Sequence, residues 1–227
     1  MQQCLPTPDL KTNIVYYKRQ LWTMNKTIRD LGDDTSYCFM WHEALVGRGS
    51  DQMASVLYKH IQANIPSNVQ NLTTFSDACA YHNIAVAIMF MVTIQQHPLK
   101  VVSQKFLVPG HSHLECDSDH VRIERAKKKM DVEIRIPHDW YLFVKTVRDK
   151  KLFTVYEMKI SLGISQIPPT YSTPVPINTA KKTNLLSLLP PIDASYHGYY
   201  QSLTTSERQT CIGPDHYSED DDDDDED

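Results

Sequence analysis

Leu72-Thr73-Thr74-Phe75 is a short apolar and β-branched run that ends abruptly in Ser76-Asp77, and an apolar stretch from about Asn83 to Ile94 follows it. The pattern reads as a buried strand that delivers a carboxylate at its C-terminal end and then a helix. In open α/β sheets that end of a strand is where ligands and metal ions sit. Asp77 has a second use in such a place, because aspartate caps helices and turns chains well. The functional reading gains from a second acidic cluster about forty residues on: Asp117, Asp119 and Glu124.

Before the strand, Leu5-Pro6-Thr7-Pro8 marks an extended, docked segment rather than a complete element. Strands are expected from Arg19 to Ile28 and from Ser36 to Trp41, joined as a hairpin by Leu31-Gly32-Asp33-Asp34. Ser50 is a good N-cap, and Met53, Val56, Leu57, His60 and Ile61 then follow helical spacing to about Ala63. After the apolar helix, which Pro98 ends, Leu99 to Val108 reads as another strand. A helix is expected from Ser118 or Asp119 to Lys129, a short strand from Val132 to Ile136, a helix from Pro137 to Val147 and a last strand from Leu152 to Tyr156. Asn184 to Leu189 and Tyr196 to Leu203 look like a short helical pair.

From Arg19 the order is ββαβαβα with extras, the order of a ribonuclease-H-like domain without its first strand. The expected fold class is therefore α/β, a mixed sheet with flanking helices and a truncated first strand. A missing central strand leaves unpaired strand edges. The expected layout is a domain over 1–160, a Pro-rich linker over 161–180, a helical appendage over 181–205 and a disordered acidic tail over 206–227.

A ribonuclease-H-like fold keeps carboxylates at the end of its first strand, at the end of its fourth and on a later helix. Asp77 fills the second place, and Asp117, Asp119 and Glu124 surround the third. Phosphodiester transfer needs an activated water or hydroxyl and a stabilised leaving oxygen, and two magnesium ions about 4 Å apart supply both. Magnesium takes carboxylate oxygens and keeps several waters, so a few carboxylates on different elements suffice. The candidate catalytic residues are thus Asp77, Asp119 and Glu124, and the candidate magnesium ligands are Asp77, Asp117 and Asp119. Asp119 and Glu124 lie five apart on one helix and do not share a face well. The acids have an ordinary alternative: Asp117 and Asp119 suit a helix N-terminus, and Glu124 can pair with Lys127 or Lys128. Cys79-x-x-His82 and His111-x-His113-x-x-Cys116 could supply zinc ligands, although the spacing is not a standard paired one.

The net charge of −5 hides an uneven distribution: nine of the 28 acids form the run Glu219–Asp227, and the rest of the chain carries 23 basic residues against 19 acids. A mildly basic body is compatible with nucleic acid as a partner. Arg48, Lys127, Lys128 and Lys129 are the candidate phosphate contacts, and the lysine run is equally a solvated helix face. The five cysteines are widely spaced, with no Cys-x-x-Cys pair. With no signal-peptide pattern, free thiols and an intracellular location, the nucleus included, are expected rather than secretion. The longest apolar run, Ile84 to Ile94, is too short to span a membrane and reads as a core helix.

Several blocks in order resemble a transposon-derived protein family of invertebrates whose C-terminal domain is DDE-type and ribonuclease-H-like. They are Leu5-Pro6-Thr7-Pro8, Tyr16-Tyr17-Lys18-Arg19-Gln20-Leu21, Trp41-His42-Glu43, Arg48-Gly49-Ser50, Ser76-Asp77-Ala78-Cys79, Gly110-His111-Ser112, Asp117-Ser118-Asp119, Ile123-Glu124 and Tyr196-His197-Gly198-Tyr199-Tyr200. The resemblance reaches to about Leu203. It implies a nuclease or integrase-like domain with magnesium held at Asp77 and the acids after Cys116. The chain departs from the family pattern where Ala78 and Ala80-Tyr81-His82 replace Asn and Gly-Gly-Gln, and where the first-strand aspartate is absent. These departures imply a degraded metal site with little or no catalysis, or a non-catalytic module that binds nucleic acid or protein.

Overall fold

The computed structural model describes residues 2–76, 84–108, 114–147, 151, 153–159 and 173–206. They form a mixed α/β structure. Strands β1 (Gln2–Thr7), β2 (Leu21–Asp30) and β3 (Thr35–His42) are followed by helix α1 (Ser50–Asn64), β4 (Asn71–Ser76), α2 (Ile84–Gln96) and β5 (Val101–Phe106). Helices α3 (Glu115–Met130) and α4 (Pro137–Thr146) then lead to β6 (Thr154–Glu157). A C-terminal unit holds β7 (Ile177–Asn178), α5 (Thr179–Ser187), α6 (His197–Ser202) and β8 (Thr205–Ser206).

The main sheet has the order β1-β2-β3-β6. The first three strands are antiparallel, and β6 runs parallel to β3 with Tyr37 opposite Thr154. The turn between β2 and β3 closes as its residues dictate. Asp30 accepts from the Gly32 amide at 2.8 Å, Asp33 accepts from the Thr35 amide at 3.0 Å, and Asp34 takes a positive φ of 61°. Strands β4 and β5 form a separate parallel pair.

Alternation along the strands separates two cores. Met24, Phe39 and Trp41 face α1 and α2, where Met53, Val56, Leu57, Ile61, Val86 and Met89 meet them. Leu5, Cys38 and Met40 face the other way, onto Ile123 of α3 and Trp140, Phe143 and Val144 of α4. The sheet is therefore covered by helices on both faces. Each of these buried side chains contributes roughly 1.5–3 kcal/mol through removal from water.

Four expectations change. The segment around Leu5-Pro6-Thr7-Pro8 is a paired strand, with Pro6 opposite Trp22; proline is tolerated because β1 lies at the sheet edge. No strand forms at Val132–Ile136; Ile134 instead makes a single antiparallel bridge with Asp9. The apolar helix α2 buries only Val86, Met89 and Thr93 and leaves Ile84, Ile88, Met91 and Ile94 exposed. The reason is that it packs along one stripe, against α1 and β5.

The fourth concerns the C-terminal helical pair, which is part of the body. Leu185, Leu188 and Tyr200 are wholly buried, in one cluster with Leu10, Val15, Leu21 and Ala44. The Tyr200 hydroxyl donates to the Arg135 carbonyl, and Lys181 pairs with the buried Glu43 carboxylate at 2.7 Å. Asn178 caps α5 by accepting from the Ala180 amide at 2.8 Å. Leu185→Ala should therefore destabilise the whole fold by about 2–5 kcal/mol. Urea unfolding followed by the fluorescence of Trp22, Trp41 and Trp140 reads this directly; an unmoved tryptophan transition would show the unit to be independent.

Candidate functional site

Strand β4 ends at Ser76, as the sequence predicts, but Asp77 lies outside the described residues, as do Cys79, His82, His111 and His113. The acids of α3 are all described. Asp117 sits in the first turn of α3, and its Oδ2 accepts from the Leu114 amide at 3.1 Å. That is the ordinary task of an acid at a helix start. Glu124 is exposed and accepts from Gln3 Nε2 of β1 at 2.9 Å.

Asp119 is different, being fully buried. Its Oδ1 accepts from Arg29 Nη1 at 2.6 Å and from Arg122 Nη1 at 2.8 Å, and its Oδ2 accepts from Ser36 Oγ at 2.7 Å. Arg29 also reaches Asp34 and Ser36. The two carboxylate oxygens are thus held by two guanidinium groups and a hydroxyl from the β2–β3 hairpin and from α3 itself. A magnesium ion would have to displace the guanidinium groups from Oδ1 or the Ser36 hydroxyl from Oδ2, and the charge of Arg29 would repel it. Asp119 in this arrangement does not fit a magnesium ligand. Among the described residues no three His, Cys, Asp or Glu side chains cluster closely enough to hold a metal. Asp119 and Glu124 part ways as their spacing predicts: one meets the hairpin, the other the edge strand.

The expected phosphate contacts are not brought together. Lys127 pairs with Asp9 at 2.8 Å and lies over the Trp140 ring, while Lys128 and Lys129 are exposed on α3. Arg48 is exposed in the loop before α1, with its Nη1 3.5 Å from the Cys4 sulfur. Cys4 belongs to the α1 face of the sheet and α3 covers the other, so the two groups of cations sit on opposite faces.

What the described residues do assemble is a slot of about 480 Å³. One long wall is Thr27 to Gly32, consecutive residues of β2 and its turn; the other is Leu72 to Ser76 of β4. Leu57, His60, Ile61 and Ile65 of α1 and the segment after it close one face, and Leu114, Glu115 and Cys116 at the start of α3 close the other. Runs of consecutive residues mean that strand edges, not strand faces, form the walls, since a strand's face shows only alternate residues. Its wall residues carry no sequence motif, and the contacts that assemble it join β2, α1, β4 and α3, segments far apart in the chain.

Three imidazoles are held neutral. Burial lowers His60 to about 4, against a small upward pull from Asp30; its ring stands edge-on to Tyr37, with centroids 4.9 Å apart. Burial also lowers His42 to about 4. His120 falls to about 3, by burial first and the nearby Lys26 charge after it, and its Nε2 meets Thr27 Oγ1 at 3.0 Å.

Comparison with protein-family models, with curated proteins and with solved structures finds no match for this chain. No helix among the described residues is long and apolar enough to cross a membrane.

Removing one partner from a buried ion pair leaves an uncompensated charge, so Asp119→Asn should cost about 3–5 kcal/mol. The double change Asp119→Leu with Arg29→Met should recover most of that loss in urea unfolding. A single change without effect on stability would refute the structural role. The histidines set a pH dependence. Their folded pKa values lie below the unfolded value near 6.5, so the unfolded chain takes up protons first as pH falls. Their contribution is complete above pH 6.5 and is lost on the way down to about pH 4 for His42 and His60 and about pH 3 for His120, on the order of 3 kcal/mol per imidazole. Urea midpoints measured from pH 7 to 4.5 should fall, and His60→Phe should flatten the slope; an unchanged slope would place the His60 titration elsewhere.

Proposed function

We propose that this chain is a transposase-derived, ribonuclease-H-like scaffold that works by binding and not by phosphodiester transfer. The element order, with a three-stranded antiparallel start, α1, and a parallel β4–β5 pair whose first strand ends next to Asp77, supports the derivation. The ordered sequence blocks that resemble the invertebrate family support it too.

The observation that carries the functional half is Asp119. The resemblance would make it a metal ligand, and its oxygens are committed instead to Arg29, Arg122 and Ser36. Two-metal chemistry needs carboxylates open to the ions and to their waters. An acid buried under two guanidinium groups serves the fold. Within the binding reading, a protein partner is favoured over nucleic acid. Lys127 is consumed by Asp9, and the remaining cations are split between two faces, whereas the slot is a formed concavity.

Calorimetric titration of MgCl2 and of MnCl2, together with nicking of supercoiled plasmid, tests this. The expected result is no saturable binding and no manganese-dependent nicking above the level of Asp77→Ala. Saturable binding that both Asp77→Ala and Asp119→Asn abolish would overturn the proposal and restore the catalytic reading.

A further inference from the structure

Strands β1 and β2 are antiparallel neighbours, and a hairpin between such strands needs only about two to five connecting residues. The chain instead spends residues 8–20 on the connection. Part of that length serves the fold. Asp9 bridges to Ile134, Leu10 and Val15 enter the cluster around Leu185 and Tyr200, and Gln20 Nε2 donates to the Pro8 carbonyl. These ties pin a short 3-10 helix, Asn13–Tyr17, in which Val15 is buried while Ile14, Tyr16 and Tyr17 are exposed. It stands at the end of the sheet where Thr7 meets Leu21, the opposite end from the slot.

The outward side chains do nothing for the fold. Tyr16 and Tyr17 are 87% and 86% exposed, and neither has a hydrogen-bond or ring partner among the described residues. Lys18 and Arg19 follow directly, and neither meets a carboxylate there, whereas Lys11 on the same connection pairs with Asp131. Of the block Tyr16 to Leu21, then, Gln20 and Leu21 hold the fold, and the side chains of Tyr16, Tyr17 and Arg19 stand in solvent. Tyrosine offers a large contact area at low conformational cost, and it is enriched with arginine among the anchors of protein interfaces. A pinned backbone also loses little freedom when a partner binds.

We infer that Ile14, Tyr16, Tyr17, Lys18 and Arg19 form a docking surface for an acidic segment of a partner protein, whose apolar side chains lie on the tyrosine rings and whose carboxylates meet the two cations. This deepens the binding reading and rests on it. Charge complementarity selects the occupant. An isologous contact with a second copy would set the patch against itself and bring like charges together. The chain's own acidic run, Glu219–Asp227, carries charge but no apolar side chain for the rings. Affinity for nucleic acid grows with the number of phosphates neutralised, and Lys18 and Arg19 alone neutralise few.

The test uses the full chain and a fluorescein-labelled peptide of Leu-Asp-Asp repeats, followed by fluorescence anisotropy at low salt. Saturable binding is expected. The same peptide with asparagine for aspartate, or with serine for leucine, should bind at least tenfold more weakly. Tyr16→Ala with Tyr17→Ala, and separately Lys18→Glu with Arg19→Glu, should each weaken binding about tenfold or more. The urea midpoint should be preserved in both, since surface substitutions of this kind barely move stability. Equal binding of the asparagine or serine peptide, equal binding by either double variant, or no saturation at millimolar peptide would overturn the docking surface. Three other results would also overturn it by giving the patch to another occupant. They are a single-stranded oligothymidylate that binds more tightly than the peptide, a concentration-dependent dimer that the tyrosine variant makes monomeric, and peptide binding that appears only once residues 219–227 are replaced by serine. These failures leave the non-catalytic reading standing, and that reading falls instead if manganese-dependent nicking appears.

Discussion

The placement of α3 depends on one buried interaction, the carboxylate of Asp119 between Arg29 and Ser36 of the hairpin. Burying a carboxylate costs several kcal/mol unless its charge is matched and its lone pairs are filled. Both conditions are met only when α3 lies across β2 and β3 in one rotation and one axial position. A leucine at 119 would pack in several registers. A buried ion pair adds little net stability over a well-packed apolar replacement, and this one acts by choosing among packings. Neighbouring contacts repeat the choice along the helix: His120 meets Thr27 and Glu124 meets Gln3. Ile123 then supplies the apolar contact to the core shared with α4.

That placement shapes the slot. The first turn of α3, capped by Asp117, brings Leu114, Glu115 and Cys116 against the β2–β4 gap from the side opposite α1. Had α3 started a turn later or rotated away, the gap would be an open edge on that side. The three acids of α3 that the sequence offers as catalytic or metal-binding candidates thus have a coherent structural use: Asp117 starts the helix, Asp119 locks it to the sheet, and Glu124 ties it to the edge strand.

Elements with a clear period were legible in the sequence. Helix α1 buries Met53, Val56, Leu57, His60 and Ile61, the positions its spacing names. The hairpin was legible from its turn residues, and β4 from a β-branched run that stops at Ser76. Strand β1 was not, because Pro6 within it and Pro8 just after it suppress any strand signal and its pairing partner is contributed by a later segment. Nor was the role of Asp119, whose decisive partner Arg29 is 90 residues away. Local charge patterning sees only pairs such as Asp119 with Arg122, one turn apart. The C-terminal unit reads as an appendage because proline-rich sequence precedes it; only the fold reveals that Leu185 and Tyr200 fill a space left by Leu21 and Ala44.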